Sequence, residues 1–68
     1  MTPSINSLHK ILKDQTRRKI IVILQEKGAL GYTELMEHLE ITRTGTLNYN
    51  LKTLGDLLAK DNSGRYIL

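Results

Sequence analysis

The residues best suited to bind a ligand lie between positions 42 and 54, in the run Thr-Arg-Thr-Gly-Thr-Leu-Asn-Tyr-Asn-Leu-Lys-Thr-Leu. Leu47, Leu51 and Leu54 are spaced by four and three residues, which predicts one apolar face of a helix. The opposite face carries Gly45, Tyr49 and Lys52, with Thr46 and Thr53 beside them and Asn48 and Asn50 flanking the leucines. These hydroxyl, amide, aromatic and cationic groups can bind a ligand. The alternative is a helix whose short polar face simply meets water.

No arrangement of side chains typical of an enzyme is found in the sequence. His9 and His38 stand alone, and neither has a carboxylate or thiol within sequence reach that would complete a catalytic pair. The chain has no cysteine, which excludes disulfides and thiolate metal sites, and its five glycines do not form a phosphate-binding loop. We therefore expect a protein that is not an enzyme and that holds no metal ion or cofactor.

The length of 68 residues is enough for one small domain, spanning positions 1–68. Such a chain buries only about 60% of the surface that its unfolded form exposes, so its stability is marginal. The absence of cysteine fits a reducing compartment, and no apolar run approaches the roughly 18 residues of a membrane span. We expect a cytoplasmic protein. The sequence stops inside a predicted strand, which suggests the N-terminal fragment of a longer chain.

Charge is distributed unevenly along the chain. Basic side chains outnumber acidic ones by six to two in residues 1–27 and by four to two in residues 42–68, whereas residues 28–41 hold three glutamates and no cation. The formal net charge is +3. A basic face interrupted by an acidic segment suits a polyanionic partner approached from one side. A small basic protein without such a partner would show the same pattern.

The first half of the chain predicts two helices. The apolar spacing of residues 4–12 predicts a short first helix. A second helix should begin at an N-cap, Asp14 or Thr16, and run to about Lys27, with Gly28 as its stop. Its first turn holds three cations, where the helix dipole disfavours positive charge, so local helix chemistry does not explain them. A solvated basic turn is the preferred interpretation of these three residues: Arg17, Arg18 and Lys19.

The second half predicts a helix-turn-helix followed by a hairpin. Thr33 is expected to cap a short helix from Glu34 to about Leu39, and Ile41 to anchor the following turn in the core. Thr42 or Thr44 should cap the helix described above, and residues 61–64 should connect two strands. The predicted fold class is therefore mainly α with a small β-hairpin wing, as a winged helix-turn-helix of three to four helices and a two- or three-stranded antiparallel sheet.

Three motifs resemble the ArsR-like transcriptional regulators of bacteria and archaea. The segment Asp14–Ile21 resembles that family's Asp-Pro-Thr-Arg-x-x-Ile-Leu opening, with Gln15 in place of proline. The segment Tyr32–Leu39 resembles its Glu-Leu-Ala-x-x-Leu stretch. The segment Gly45–Leu54 is similar to its recognition helix, especially to an archaeal variant that reads Gly-Thr-Leu-Asn-Tyr-His-Leu. The resemblance covers residues 8–68.

The resemblance implies a sequence-specific regulator that binds double-stranded DNA. Its recognition helix, residues 43–54, would enter the major groove, and its wing, residues 58–68, would lie on the backbone or in the minor groove. An asparagine can contact adenine through two hydrogen bonds. The implied base-reading residues are Thr44, Thr46, Asn48 and Tyr49. The implied contacts to the DNA backbone are Tyr32, Thr33, Arg43, Lys52, Asn62, Ser63 and Arg65.

The sequence departs from the pattern of the ArsR-like family in two respects. The turn before the recognition helix looks one residue longer than usual, and the cysteines of metal-sensing members are missing.

A homodimer is expected through the apolar residues of the first helix, namely Ile5, Leu8, Ile11 and Leu12. The acidic segment bearing Glu34, Glu37 and Glu40 favours the main alternative, a winged helix that binds another protein and not DNA.

Overall fold

The fold is mainly α-helical with a small antiparallel hairpin, which confirms the predicted fold class and has the layout of a winged helix. The structure is a computed structural model that describes residues 9 and 11–68. Its first helix, α1, is described at residues 9 and 11–13. The later elements are α2 (Gln15–Lys27), α3 (Tyr32–Leu39), α4 (Thr44–Leu54), a 3-10 turn (Gly55–Leu57), β1 (Ala59–Lys60) and β2 (Tyr66–Ile67).

Helix α2 begins and ends where the sequence predicts. The Asp14 carboxylate accepts hydrogen bonds from the backbone N–H groups of Thr16, at 2.7 Å, and Arg17, at 3.4 Å. These bonds satisfy donors that the first turn of a helix leaves open, so Asp14 is the cap and not Thr16. Gly28 ends the helix at a φ of 86°, which glycine adopts more readily than any residue with a Cβ atom.

The predicted cap of α3 is wrong. The helix begins at Tyr32, one residue before Thr33, and Gly31 occupies the N-cap position. Glycine has no side chain to bond the helix start. Instead, the Glu34 carboxylate reaches back and accepts a hydrogen bond of 2.9 Å from the Gly31 N–H. One of the three glutamates in the acidic segment therefore has a structural role.

The turn between α3 and α4 is tight, and its predicted anchor is confirmed. Glu40 adopts a left-handed conformation with a φ of 56°, and Ile41 packs half-buried against the core. The predicted caps of α4 are wrong, because Arg43 occupies the N-cap and makes no side-chain hydrogen bond there. Thr42 lies in the turn and Thr44 is already the first helical residue.

The wing is a two-stranded hairpin that is tied to the helical part by one extra rung. Strands β1 and β2 pair antiparallel, and Gly64 takes a left-handed conformation in the predicted connecting turn, with a φ of 81°. Leu30, between α2 and α3, forms a single antiparallel bridge with Tyr66, through backbone hydrogen bonds of 2.7 and 3.1 Å. Of the two sheet sizes that the sequence left open, the structure has the two-stranded one, extended by this single bridge.

The hydrophobic core draws on every helix and on the segment before α3. Its buried members are Ile11, Ile20, Leu24, Leu30, Leu35, Leu47 and Leu54. Ile11 packs within its own chain and therefore does not form part of an exposed dimer surface. Leu12 is 44% exposed and is available for such a contact. The other two residues predicted for that surface, Ile5 and Leu8, lie outside the described residues.

Candidate functional site

Helix α4 turns the predicted polar face to the outside. Asn48, Tyr49 and Lys52 are exposed, and Tyr49 has a relative exposure of 62%. At about 100° per residue these three positions and Gly45 share one side of the helix. Thr44 and Thr46 are also exposed, and this spacing puts them at opposite edges of that side. The outer surface of α4 therefore has the chemistry that the sequence predicts.

The inner face of α4 differs from the predicted leucine stripe at one position. Leu47 and Leu54 are fully buried, but Leu51 is only half-buried. Asn50 lies between them on the inner side and is 4% exposed. Its spacing of three residues from Leu47 puts it within the apolar stripe and not beside it. A polar group at that position needs a partner inside the protein.

The partner is Arg17, on the inner face of α2. Arg17 is 6% exposed, and its Nη1 donates a hydrogen bond of 3.0 Å to Asn50 Oδ1. Nε donates a second bond, of 2.9 Å, to the backbone carbonyl of Ile11 in α1. Asn50 Nδ2 in turn donates to the carbonyl of Thr46, at 2.9 Å. The interpretation of Arg17 as a solvated cation is therefore wrong: this side chain fixes α4 against α1 and α2.

Arg18 and Lys19, the other two cations of that turn, are exposed as predicted. Nη1 of Arg18 donates to the carbonyl of Lys13 at 3.0 Å, and also to the carbonyl of Leu12. These bonds satisfy carbonyl groups at the end of α1. The cation thus has a local structural partner as well as contact with water.

The hydroxyl of Tyr32 lies between α3 and α4. It is 2.7 Å from Asn48 Oδ1 and 3.2 Å from the carbonyl oxygen of Thr44. The structure therefore brings three of the sequence-predicted site residues into direct contact. Thr33 and Arg43, predicted to contact the DNA backbone, are exposed close to the starts of α3 and α4.

The tip of the wing is organised by Asp61. Its Oδ1 accepts hydrogen bonds of 2.9 Å from the backbone N–H groups of Ser63 and Arg65, and its Oδ2 pairs with Arg65 Nε at 3.0 Å. The backbone bond from Arg65 is the main cause that lowers the pKa of Asp61. Asn62 and Ser63 are exposed at the tip. Arg65 keeps 51% of its side chain exposed, so it still presents positive charge outward.

A cleft of about 530 Å³ lies between the first half of α2 and the end of α3. Its apolar lining includes Val22, Ile23 and Leu39, and its polar lining includes Arg18 and His38. It does not include any of the residues predicted for the recognition helix or the wing.

The described residues contain no group of three or more histidine, cysteine or carboxylate side chains able to hold a metal ion. His9 and His38 are both exposed. Within the same part of the chain, no helix is long and apolar enough to cross a membrane.

Sequence reasoning missed the pair of Arg17 and Asn50 and the bond between Tyr32 and Asn48. The first had a detectable signal. Arg17 is spaced by three and seven residues from the buried Ile20 and Leu24, just as Asn50 is spaced by three and four from Leu47 and Leu54. Two polar residues within two apolar stripes indicate a buried pair. No comparable signal links Tyr32 to Asn48.

A model of the family DUF7347, described as a domain of unknown function, matches residues 6–68. No curated protein and no solved structure matches the chain.

Proposed function

We propose that this chain, which belongs to the family DUF7347, is a sequence-specific regulator of transcription that binds double-stranded DNA in the cytoplasm. The observation that carries the proposal is the outer face of α4. It offers Asn48, Tyr49 and Lys52 to an incoming ligand, while a buried pair, Arg17 and Asn50, holds the helix on the domain. An exposed helix with amide, aromatic and cationic groups on a rigid support suits recognition of base edges and phosphates.

The size and charge of the surface fit a duplex. The major groove of B-DNA is about 12 Å wide and admits one α-helix. Asn48 and Tyr49 would face base edges, with Thr44 and Thr46 at the sides of the helix. Lys52 and Arg43, at opposite ends of α4, would contact phosphates on either side of the groove. The wing would add Asn62, Ser63 and Arg65, together with the exposed Thr33 near the start of α3, as backbone contacts.

Gly45 gives independent support. It lies in the first turn of α4, on the outer face, and a Cβ atom added there would meet nothing within 4 Å. Its φ is not positive, so the fold does not require glycine. Glycine costs about 1 kcal/mol relative to alanine inside a helix. A close approach between this part of the helix and DNA explains a residue that the free protein does not need.

One specific observation favours the alternative, a module that binds another protein. Glu37 and Glu40 are exposed on α3 and in the turn that leads to α4, and no described ion pair neutralises them. Carboxylates near a DNA surface repel phosphate groups. Glu34, in contrast, is partly explained by its bond to the Gly31 N–H.

Binding of fluorescent duplexes at low and moderate salt separates the two functions. DNA binding should weaken steeply as salt increases, because each neutralised phosphate adds about −0.9 to the slope of log affinity against log salt. Lys52→Ala should flatten this slope by about one unit on every sequence tested. The matched control is Lys27→Ala, because both lysines are exposed in the last turn of a helix. No binding at either salt concentration, or an affinity independent of salt, would refute the proposal.

A homodimer is also proposed, because regulators of this shape commonly read two half-sites related by twofold symmetry. The described residue that supports it is Leu12, which exposes 44% of its surface in α1. Sedimentation at high protein concentration should show a dimer for the wild type and more monomer for Leu12→Glu. A wild type that remains monomeric, both free and on a palindromic duplex, would refute this part.

A further inference from the structure

Tyr32 joins the two helices of the helix-turn-helix through a proposed base-reading residue. It is the first residue of α3, and its hydroxyl oxygen is 2.7 Å from Asn48 Oδ1 in α4. The carbonyl oxygen of Thr44 is farther away, at 3.2 Å. A phenol has one proton to donate, so the shorter distance identifies Asn48 Oδ1 as its main acceptor. The side chain of Asn48 is therefore positioned by a residue outside its own helix.

This bond also fixes which end of the Asn48 amide is available. An asparagine amide carries an acceptor oxygen at one end and two N–H donors at the other. Because Oδ1 faces the phenol of Tyr32, Nδ2 is the end left for a ligand. Among the described residues, no hydrogen bond involves Nδ2 of Asn48. The exposed surface of α4 thus presents a pair of donors at this position.

Building on the proposed DNA-binding function, we propose that Tyr32 is a specificity-determining positioning residue that makes Asn48 a reader of hydrogen-bond acceptors. The acceptors that the major groove offers are N7 of a purine, O6 of guanine and O4 of thymine. The two-bond contact with adenine expected from the sequence needs Oδ1 to face the adenine amino group. The bond from Tyr32 takes one of the two lone pairs of Oδ1 and holds this oxygen toward the start of α3, which disfavours that geometry. The preference therefore shifts from adenine alone to bases that present an acceptor.

The same geometry assigns Tyr32 a role other than the predicted phosphate contact. Its hydroxyl proton is used inside the protein, whereas a phosphate oxygen would need that proton for itself. Loss of the hydroxyl should therefore leave general affinity for DNA intact and change only the choice of base. Removal of one oxygen atom, that of the Tyr32 hydroxyl, therefore distinguishes a positioning role from a phosphate contact.

Tyr32→Phe removes the hydroxyl and keeps the ring, which is half-buried against the core. Tyr66→Phe is the matched control, since Tyr66 is also half-buried and lies in the wing. Each protein is used to select duplexes from a pool with a randomised site. The wild type and the control should show the same preference at one base pair. In Tyr32→Phe this preference should fall at least about fivefold, as Asn48 becomes free to rotate. Affinity for unselected duplex should stay within about twofold.

A second measurement examines the free protein. The side-chain amide of Asn48 gives its own pair of signals in a proton–nitrogen correlation spectrum. Tyr32→Phe should shift these signals toward those of a freely rotating asparagine, whereas Tyr66→Phe should leave them unchanged. Unchanged Asn48 signals in Tyr32→Phe would overturn the inference.

The outcomes distinguish the inference from the function on which it rests. If the wild type selects a sequence and Tyr32→Phe selects the same one equally strongly, the inference is overturned and the proposed function stands. If the wild type binds no duplex, the proposed function is refuted and the inference with it. Circular dichroism of each variant confirms that only folded proteins are compared.

Discussion

Replacement of Asn50 by alanine tests how α4 is held on the domain. The substitution removes the acceptor for Arg17 Nη1, at 3.0 Å, and the donor to the Thr46 carbonyl, at 2.9 Å. Both Arg17 and Asn50 are almost fully buried, so water does not readily replace the lost bonds. The guanidinium keeps its bond to the Ile11 carbonyl.

The expected cost follows from these contacts. A hydrogen bond to a charged group contributes about 1.5–3 kcal/mol, and removing one partner of a buried charged pair costs up to about 3–5 kcal/mol. Because the guanidinium keeps its bond to the Ile11 carbonyl, the expectation moves to the lower end. The higher helix propensity of alanine offsets up to about 0.7 kcal/mol of the cost. We expect a net loss of about 2–3 kcal/mol. For 68 residues the whole stability is about 3–10 kcal/mol, so this loss should lower the Tm by at least about 8 °C.

Urea unfolding followed by circular dichroism measures this loss against a control in the same helix. Asn48→Ala makes the same substitution two residues earlier and gains the same propensity, but it removes an exposed bond to Tyr32. Its cost should stay below about 1 kcal/mol. Equal losses in the two variants would refute the view that the buried bond between Arg17 and Asn50 fixes α4. The double variant Arg17→Met with Asn50→Leu should recover much of the loss, since both polar groups are then replaced by apolar ones.

Three further outcomes are expected. Gly45→Ala should raise the free energy of unfolding by about 0.5–1 kcal/mol and yet weaken DNA binding. Equal or stronger binding by this variant would show that DNA does not approach the helix closely at Gly45. Leu47→Ala should cost about 2–5 kcal/mol in urea unfolding, and Leu51→Ala less, because Leu47 is fully buried and Leu51 is not. The backbone bond from Thr16 is the main cause that lowers the pKa of Asp14 in the folded state. The ionised carboxylate therefore stabilises the fold at pH values above its unfolded pKa of about 3.9. This stabilisation is lost as the pH falls below that value. Asp14→Asn keeps a good cap and should flatten the loss of stability between about pH 4 and pH 2; an unchanged pH profile in urea unfolding would contradict this.

The sequence by itself determined the features that depend on neighbouring residues. Asp14 and Gly28 fix the ends of α2 because a carboxylate can cap the N–H groups two and three residues ahead, and because glycine tolerates the backbone that ends a helix. Gly64 sets the turn of the wing for a similar reason. The outer face of α4, on which Tyr49 is exposed, follows from helical spacing alone. From these features the class of fold and the exposed polar face of α4 could be predicted.

Tertiary structure decided the features that join residues far apart in the chain. Arg17 is hydrogen-bonded to Asn50, which lies 33 residues away in the sequence, and Tyr32 is hydrogen-bonded to Asn48, 16 residues away. Helical spacing can show that a polar residue lies on the inner face, but the identity of its partner depends on how the helices pack. The cap of α3 also escaped prediction, because Glu34 satisfies the Gly31 N–H and leaves Thr33 no capping role. Spacing along the chain sets which way a side chain points, whereas packing between helices sets what it meets.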